Sequence, residues 1–152
     1  MVGNVLRNEP AARRLAHKPE QKWPNLQKPK DVVLVVEDET LVRMDSADLI
    51  RDLGFDVIEA VDADHAVSVL EQMPGITVLF TDIQMPGSMD GLRLAAVVKD
   101  RWPPIAVLIT SGQLHPPTAD MPAGARFISK PYLPLQLKDQ LCSLTGDRGR
   151  TP

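Results

Sequence analysis

Apolar residues fall in short unbroken runs separated by stretches of helical period. Asp31 is followed by Val32-Val33-Leu34-Val35-Val36. This β-branched run has no polar face, which predicts a strand buried on both sides, as in a parallel sheet. Comparable runs cover Phe55 to Glu59, Ile76 to Phe80, Ile105 to Ile109 and Ala125 to Ser129. Between them, Leu41 to Leu53 places Val42, Leu49, Ile50 and Leu53 at helical spacing, with Gly54 as a stop. Ala63 to Met73 turns Ala66, Val67, Val69 and Leu70 inward and ends at Pro74-Gly75. Asp90 is a good N-cap for a helix from Gly91 to Arg101, which Pro103-Pro104 breaks. The last helix opens near Pro134, suited to a first turn, with Leu137, Leu141 and Leu144 as its seam and Gly146 as its stop. Strand and helix alternate about five times, which predicts an α/β fold: an open, doubly wound parallel sheet with helices on both faces. One link departs from the pattern. Between Ser111 and Ala125, three prolines and two glycines leave no room for a full helix, so a short turn or loop is expected where the fourth helix should sit.

In such sheets ligands bind beyond the carboxyl ends of the strands, where the strand order reverses. The first run leads into Glu37-Asp38-Glu39, the third into Thr81-Asp82, the fourth into Thr110-Ser111 and the fifth into Lys130-Pro131. The second offers only Glu59 and Ala60, consistent with an edge strand. Glu37, Asp38 and Asp82 would bring three like charges together, at a cost of several kcal/mol in a partly dry site unless they are neutralised. Lys130 supplies one positive charge. A hard divalent cation with oxygen ligands supplies the rest, and Mg²⁺ suits a site of few carboxylates plus water. No His or Cys adjoins these residues in sequence, which disfavours zinc. A carboxylate beside a metal, a lysine and a hydroxyl is set up to attack phosphorus: Asp82 as nucleophile, with the cation, Lys130 and Thr110 holding the phosphoryl oxygens. Each element also has a plainer reading. Glu37 to Glu39 suits a helix N-terminus, Thr110-Ser111 a turn, Lys130 a solvated charge and Phe127 a core residue. Their convergence on one rim is what favours the site.

The motifs Val35-Val36-Glu37-Asp38-Glu39, Phe80-Thr81-Asp82-Ile83-Gln84-Met85-Pro86, Asp90-Gly91, Ile109-Thr110-Ser111-Gly112 and Ser129-Lys130-Pro131-Tyr132 resemble the receiver domain of bacterial two-component response regulators over about residues 31–145. The resemblance implies a flavodoxin-like fold of strand order 2-1-3-4-5. It implies that Asp82 accepts a phosphoryl group from a phosphohistidine of a sensor kinase or phosphotransfer protein. Asp38 matches the direct Mg²⁺ ligand, Glu37 the acid that reaches the metal through water, and the backbone carbonyl of Gln84 a further ligand. Thr110 matches the hydroxyl that follows the phosphoryl group, Phe127 the aromatic that rotates with it, and Lys130 the ion-pairing lysine before a cis proline. Three departures stand out. Glu37 replaces the commoner aspartate, Pro86 to Gly91 is one residue longer than the commonest loop, and the fourth helix is degenerate. The last leaves the partner face and the oligomeric state unassigned.

Charge and composition refine this picture. Residues 1–30 hold seven basic and two acidic residues and four of the fourteen prolines, a basic extension of net charge +5. The rest of the chain holds ten basic and eighteen acidic residues, net −8, which argues against nucleic-acid binding by the domain itself. The reading is therefore a receiver over 31–146, with a polar tail at 147–152. About twenty residues follow Tyr132, too few for a helix-turn-helix effector, so a stand-alone receiver is expected. The single cysteine, Cys142, excludes an internal disulfide. No apolar run spans a membrane, no secretory signal opens the chain, and a cytoplasmic location is expected. Two rival functions fit the residues less well. An aspartyl-phosphate phosphatase needs an acid two residues after the nucleophile, where Gln84 stands. A pseudo-receiver that binds partners without phosphorylation is disfavoured by the intact Asp38, Asp82, Thr110 and Lys130.

Overall fold

The computed structural model describes residues 30–113 and 115–146; the basic extension up to residue 29 and the polar tail 147–152 lie outside the described residues. The elements run β1 (Val32–Val36), α1 (Thr40–Asp52), β2 (Asp56–Ala60), α2 (Ala63–Gln72), β3 (Val78–Asp82), α3 (Gly91–Arg101), β4 (Ala106–Ser111), a single 3₁₀ turn (Thr118–Asp120), β5 (Arg126–Ser129) and α4 (Pro134–Gly146). The sheet is parallel with order β2-β1-β3-β4-β5. This is the flavodoxin-like arrangement, and the fourth family helix is reduced to the 3₁₀ turn.

The unbroken apolar run of β1 divides its side chains between two cores. Leu34 and Val36 pack with Ala66 and Leu70 of α2 and with Leu94, Ala95 and Val98 of α3. Val33 and Val35 pack on the other face with Ile50 of α1 and Leu137 and Leu141 of α4. Burial on both faces is why the strand shows no alternation.

Two strands reach further than their apolar runs. β3 continues to Asp82 and β4 to Ser111, with Asp82 paired to Thr110 and Ser111 to Ser129. A backbone ladder is indifferent to side-chain polarity, so hydrophobicity marked where the apolar core ends rather than where pairing ends. The consequence is functional: Thr81, Asp82, Thr110 and Ser111 are buried strand residues, not loop residues. They are held by the sheet.

Candidate functional site

The strand order reverses between β1 and β3, and the acidic residues gather there. Carboxylate oxygens of Glu37, Asp38 and Asp82 all lie within 4.8 Å of one another. Glu37 and Asp82 are buried, at 4% and 9% exposure, while Asp38 is exposed. Lys130 faces the pair from the end of β5. Its Nζ donates to Glu37 Oε2 at 2.9 Å and lies 3.5 Å from Asp82 Oδ2. Burial alone would lower the pKa of the Lys130 ammonium. The hydrogen bond to Glu37 and the charges of Asp82 and Glu37 outweigh it and hold the pKa above the ordinary lysine value. One ammonium still leaves three carboxylates undercompensated. A divalent cation bound by oxygens would supply the missing charge, and the donor set of three carboxylates suits a hard ion.

None of the acids serves as a plain helix cap. Glu39 is the N-cap of α1 without a side-chain capping bond. Instead Glu37 Oε1 accepts from the Glu39 amide at 3.1 Å, folding the turn back on itself.

Thr110 stands beside Asp82 in the strand register, so both side chains emerge on one face of the sheet. Its Oγ1 is buried and has no hydrogen-bond partner among the described residues. An orphaned buried hydroxyl costs about 1–3 kcal/mol, which a ligand oxygen at this rim would recover. Gln84 lies two residues beyond Asp82 in the exposed loop, and Met85 anchors that loop in the core. The loop closes on α3, whose first residue, Gly91, donates its amide to the Ile83 carbonyl at 2.8 Å.

Phe127 is half-buried on β5 and packs against the α2–α3 core. The ring of His115, from the segment that replaces the missing helix, lies over it, with centroids 4.2 Å apart and planes inclined by 50°. Nothing in the local sequence pattern around His115 signals a partner twelve positions on. Two further contacts were not legible. Tyr132 OH meets Ser46 Oγ at 2.9 Å, tying the Lys130–Pro131 segment, which has a cis bond, to α1. Arg43 reaches the acidic turn from α1.

The pKa of Tyr132 is pushed up, chiefly by burial, against the opposing effect of its hydrogen bond with Ser46. For both Tyr132 and Lys130 the folded pKa lies above the unfolded one. Their stabilisation is therefore complete below pH 10 and is lost as pH rises through the folded values. Tyr132 is the only tyrosine in the chain. Its tyrosinate absorbance is expected to appear above pH 10, together with loss of helical circular dichroism. Ionisation at the ordinary tyrosine pH with the fold intact would contradict its burial.

Comparison with known proteins accords with this geometry. Residues 33–141 match the response regulator receiver domain family. The chain is 33% identical over 109 residues to the sensor kinase CckA of Brucella abortus, covering 69% of this chain and 11% of that protein. It is 35% identical over 104 residues to the transcriptional regulatory protein PdtaR of Mycobacterium tuberculosis, covering 66% and 49% respectively. It thus spans half or less of the length of these curated relatives. The fold superposes on the crystal structure of a response regulator receiver protein from Sinorhizobium medicae with a TM-score of 0.72 at 23% identity, covering 79% of this chain and 98% of that one. No described helix is long and apolar enough to cross a membrane. With the family's sequence pattern matched across most of the chain and its fold reproduced strand for strand, the protein belongs to the response regulator receiver domains of two-component systems.

Proposed function

We propose that the chain relays a signal by accepting a phosphoryl group on Asp82 from a phosphohistidine of a sensor histidine kinase or a histidine phosphotransfer protein, in the cytoplasm and with Mg²⁺ bound. The observation that carries this reading is the meeting of Asp82, Lys130 and the acidic turn at the sheet's switch point. An Asp82 carboxylate oxygen attacks phosphorus. The phosphorus–nitrogen bond to the donor imidazole breaks, its electron pair stays on nitrogen, and that nitrogen takes a proton from solvent. Asp38, Asp82 and the Gln84 carbonyl would hold Mg²⁺, with Glu37 acting through water; when bound, the ion neutralises charge on the phosphoryl oxygens. Lys130, which pairs with Glu37 and Asp82, turns one hydrogen bond to a phosphoryl oxygen. Thr110 Oγ1, without another partner among the described residues, donates to another. Thr110 and Phe127 then act as the two-state element through which the added charge alters a partner-binding surface.

The chain is in this reading an acceptor rather than a turnover enzyme. The Gln84 carboxamide cannot serve as a general acid or base at the position where a phosphatase needs an acid. Incubation with acetyl phosphate and Mg²⁺ is expected to yield one phosphoryl adduct by intact mass, absent in Asp82→Asn. An undiminished adduct in that variant would remove Asp82 from the role. No adduct on the parent chain would favour phosphorylation-independent binding.

A further inference from the structure

The turn between β1 and α1 carries Asp38, whose exposed carboxylate takes no hydrogen bond from another described residue. Its direction is therefore set by the backbone on either side. The Glu37 amide donates to the Ala60 carbonyl at 3.2 Å, at the end of β2. The Glu37 carbonyl accepts from Arg43 Nη1 at 3.0 Å. Arg43 is itself aimed by Glu59 of β2, whose Oε1 lies 3.3 Å from Arg43 Nε, and its side chain is only 12% exposed. Arg51 Nη2 holds the other Glu59 oxygen at 3.4 Å but does not touch the turn.

We infer that Arg43 is a positioning residue for the cation site: aimed by Glu59, its guanidinium clamps the Glu37 carbonyl and sets the orientation in which the Glu37–Asp38 turn presents its carboxylates. This gives a role to Glu59, the acid that the edge strand brings to the rim. The inference rests on the reading that a divalent cation binds there.

Charge and positioning make opposite demands here. A guanidinium near a cation site repels the cation, so if Arg43 acted only through its charge, removing it would tighten Mg²⁺ binding. If it acts by orienting the turn, removing it loosens binding, as losing the groups that orient metal ligands generally does.

The test is an Mg²⁺ titration of the full chain, read by calorimetry and by the rise in melting temperature, with no phosphoryl donor present. Arg43→Met keeps the aliphatic stem and is expected to raise the Mg²⁺ concentration for half-saturation about tenfold. Glu59→Gln is expected to shift it the same way by less, because its amide oxygen still accepts from Arg43. Arg51→Met removes the same charge from the same cluster and is expected to leave the affinity near that of the parent. Should Arg43→Met not fold, Arg43→Lys keeps the charge but cannot reach both partners at once, and is expected to weaken binding in the same direction. Unchanged or tighter binding in the Arg43 variants, or equal weakening in Arg51→Met, would overturn the role. A parent chain with no Mg²⁺ response would overturn the cation reading itself, an outcome distinct from failure of Arg43 alone.

Discussion

Lys130→Met is expected to lower stability at neutral pH by about 2–3 kcal/mol, below the range for a fully buried pair because the lysine side chain keeps some contact with water. Its side chain is 24% exposed, against 5% for that of Glu37 and 12% for that of Asp82. The loss comes less from a missing attraction than from what is left behind: two buried carboxylates facing each other without the ammonium between them. That origin makes the effect conditional. Millimolar Mg²⁺ should narrow the gap between variant and parent, by binding the folded state of the more negative site. Urea unfolding of both proteins at pH 7, with and without Mg²⁺, checks both statements. Equal stability without Mg²⁺, or a deficit indifferent to it, would mean that the close approach of Lys130 to the acids contributes nothing. Lys130→Arg, which keeps the charge but not the length, should lose less.

The parts of this site that could be read from the chain share one property. Glu37 and Lys130 are 93 positions apart, yet both follow apolar runs. A parallel sheet collects the carboxyl ends of all its strands on one edge, so topology rather than proximity in sequence brings them together. The same logic located Asp82 and Thr110, although it set them just past the strands instead of within them. Arg43 and Ser46 escaped because each lies in a helix whose periodic pattern accounts only for its apolar face. An arginine among acids on α1 reads as a solvated charge, and its bond to the Glu37 carbonyl depends on where β2 ends. The His115–Phe127 contact escaped for another reason. The prolines of 111–125 excluded a helix but could not say how the replacing segment lies, since an irregular chain has no period to extrapolate. The elements with regular backbones were thus legible to within about two residues, and the side-chain contacts between irregular segments were not.

Gly91→Ala is expected to be more disruptive than its single added methyl suggests. A Cβ at this position would stand 1.8 Å from the Asp82 carbonyl oxygen, 2.7 Å from its carbonyl carbon and 2.9 Å from the Ile83 Cα. All three are backbone atoms, so no side chain can swing aside. Either α3 lifts off the end of β3 or the Asp82 peptide moves inward. The first breaks the Gly91 amide bond to Ile83 and loosens Leu94 and Ala95, which sit in the core. The second displaces the residue on which the site is centred. Overpacking of this kind costs at least the upper part of the usual range of about 1–3 kcal/mol, a fall of roughly 10 °C in melting temperature for a domain of this size. Phosphoryl acceptance should fall with it even at temperatures where the variant remains folded, because the shift is transmitted directly to Asp82. Gly112→Ala is the matched control. Its Cβ would meet only the Lys130 Cβ, at 3.9 Å, an ordinary contact, and its stability should stay close to that of the parent. If Gly91→Ala melts with the parent and accepts a phosphoryl group at the same rate, α3 does not seat on the Asp82 peptide as closely as described.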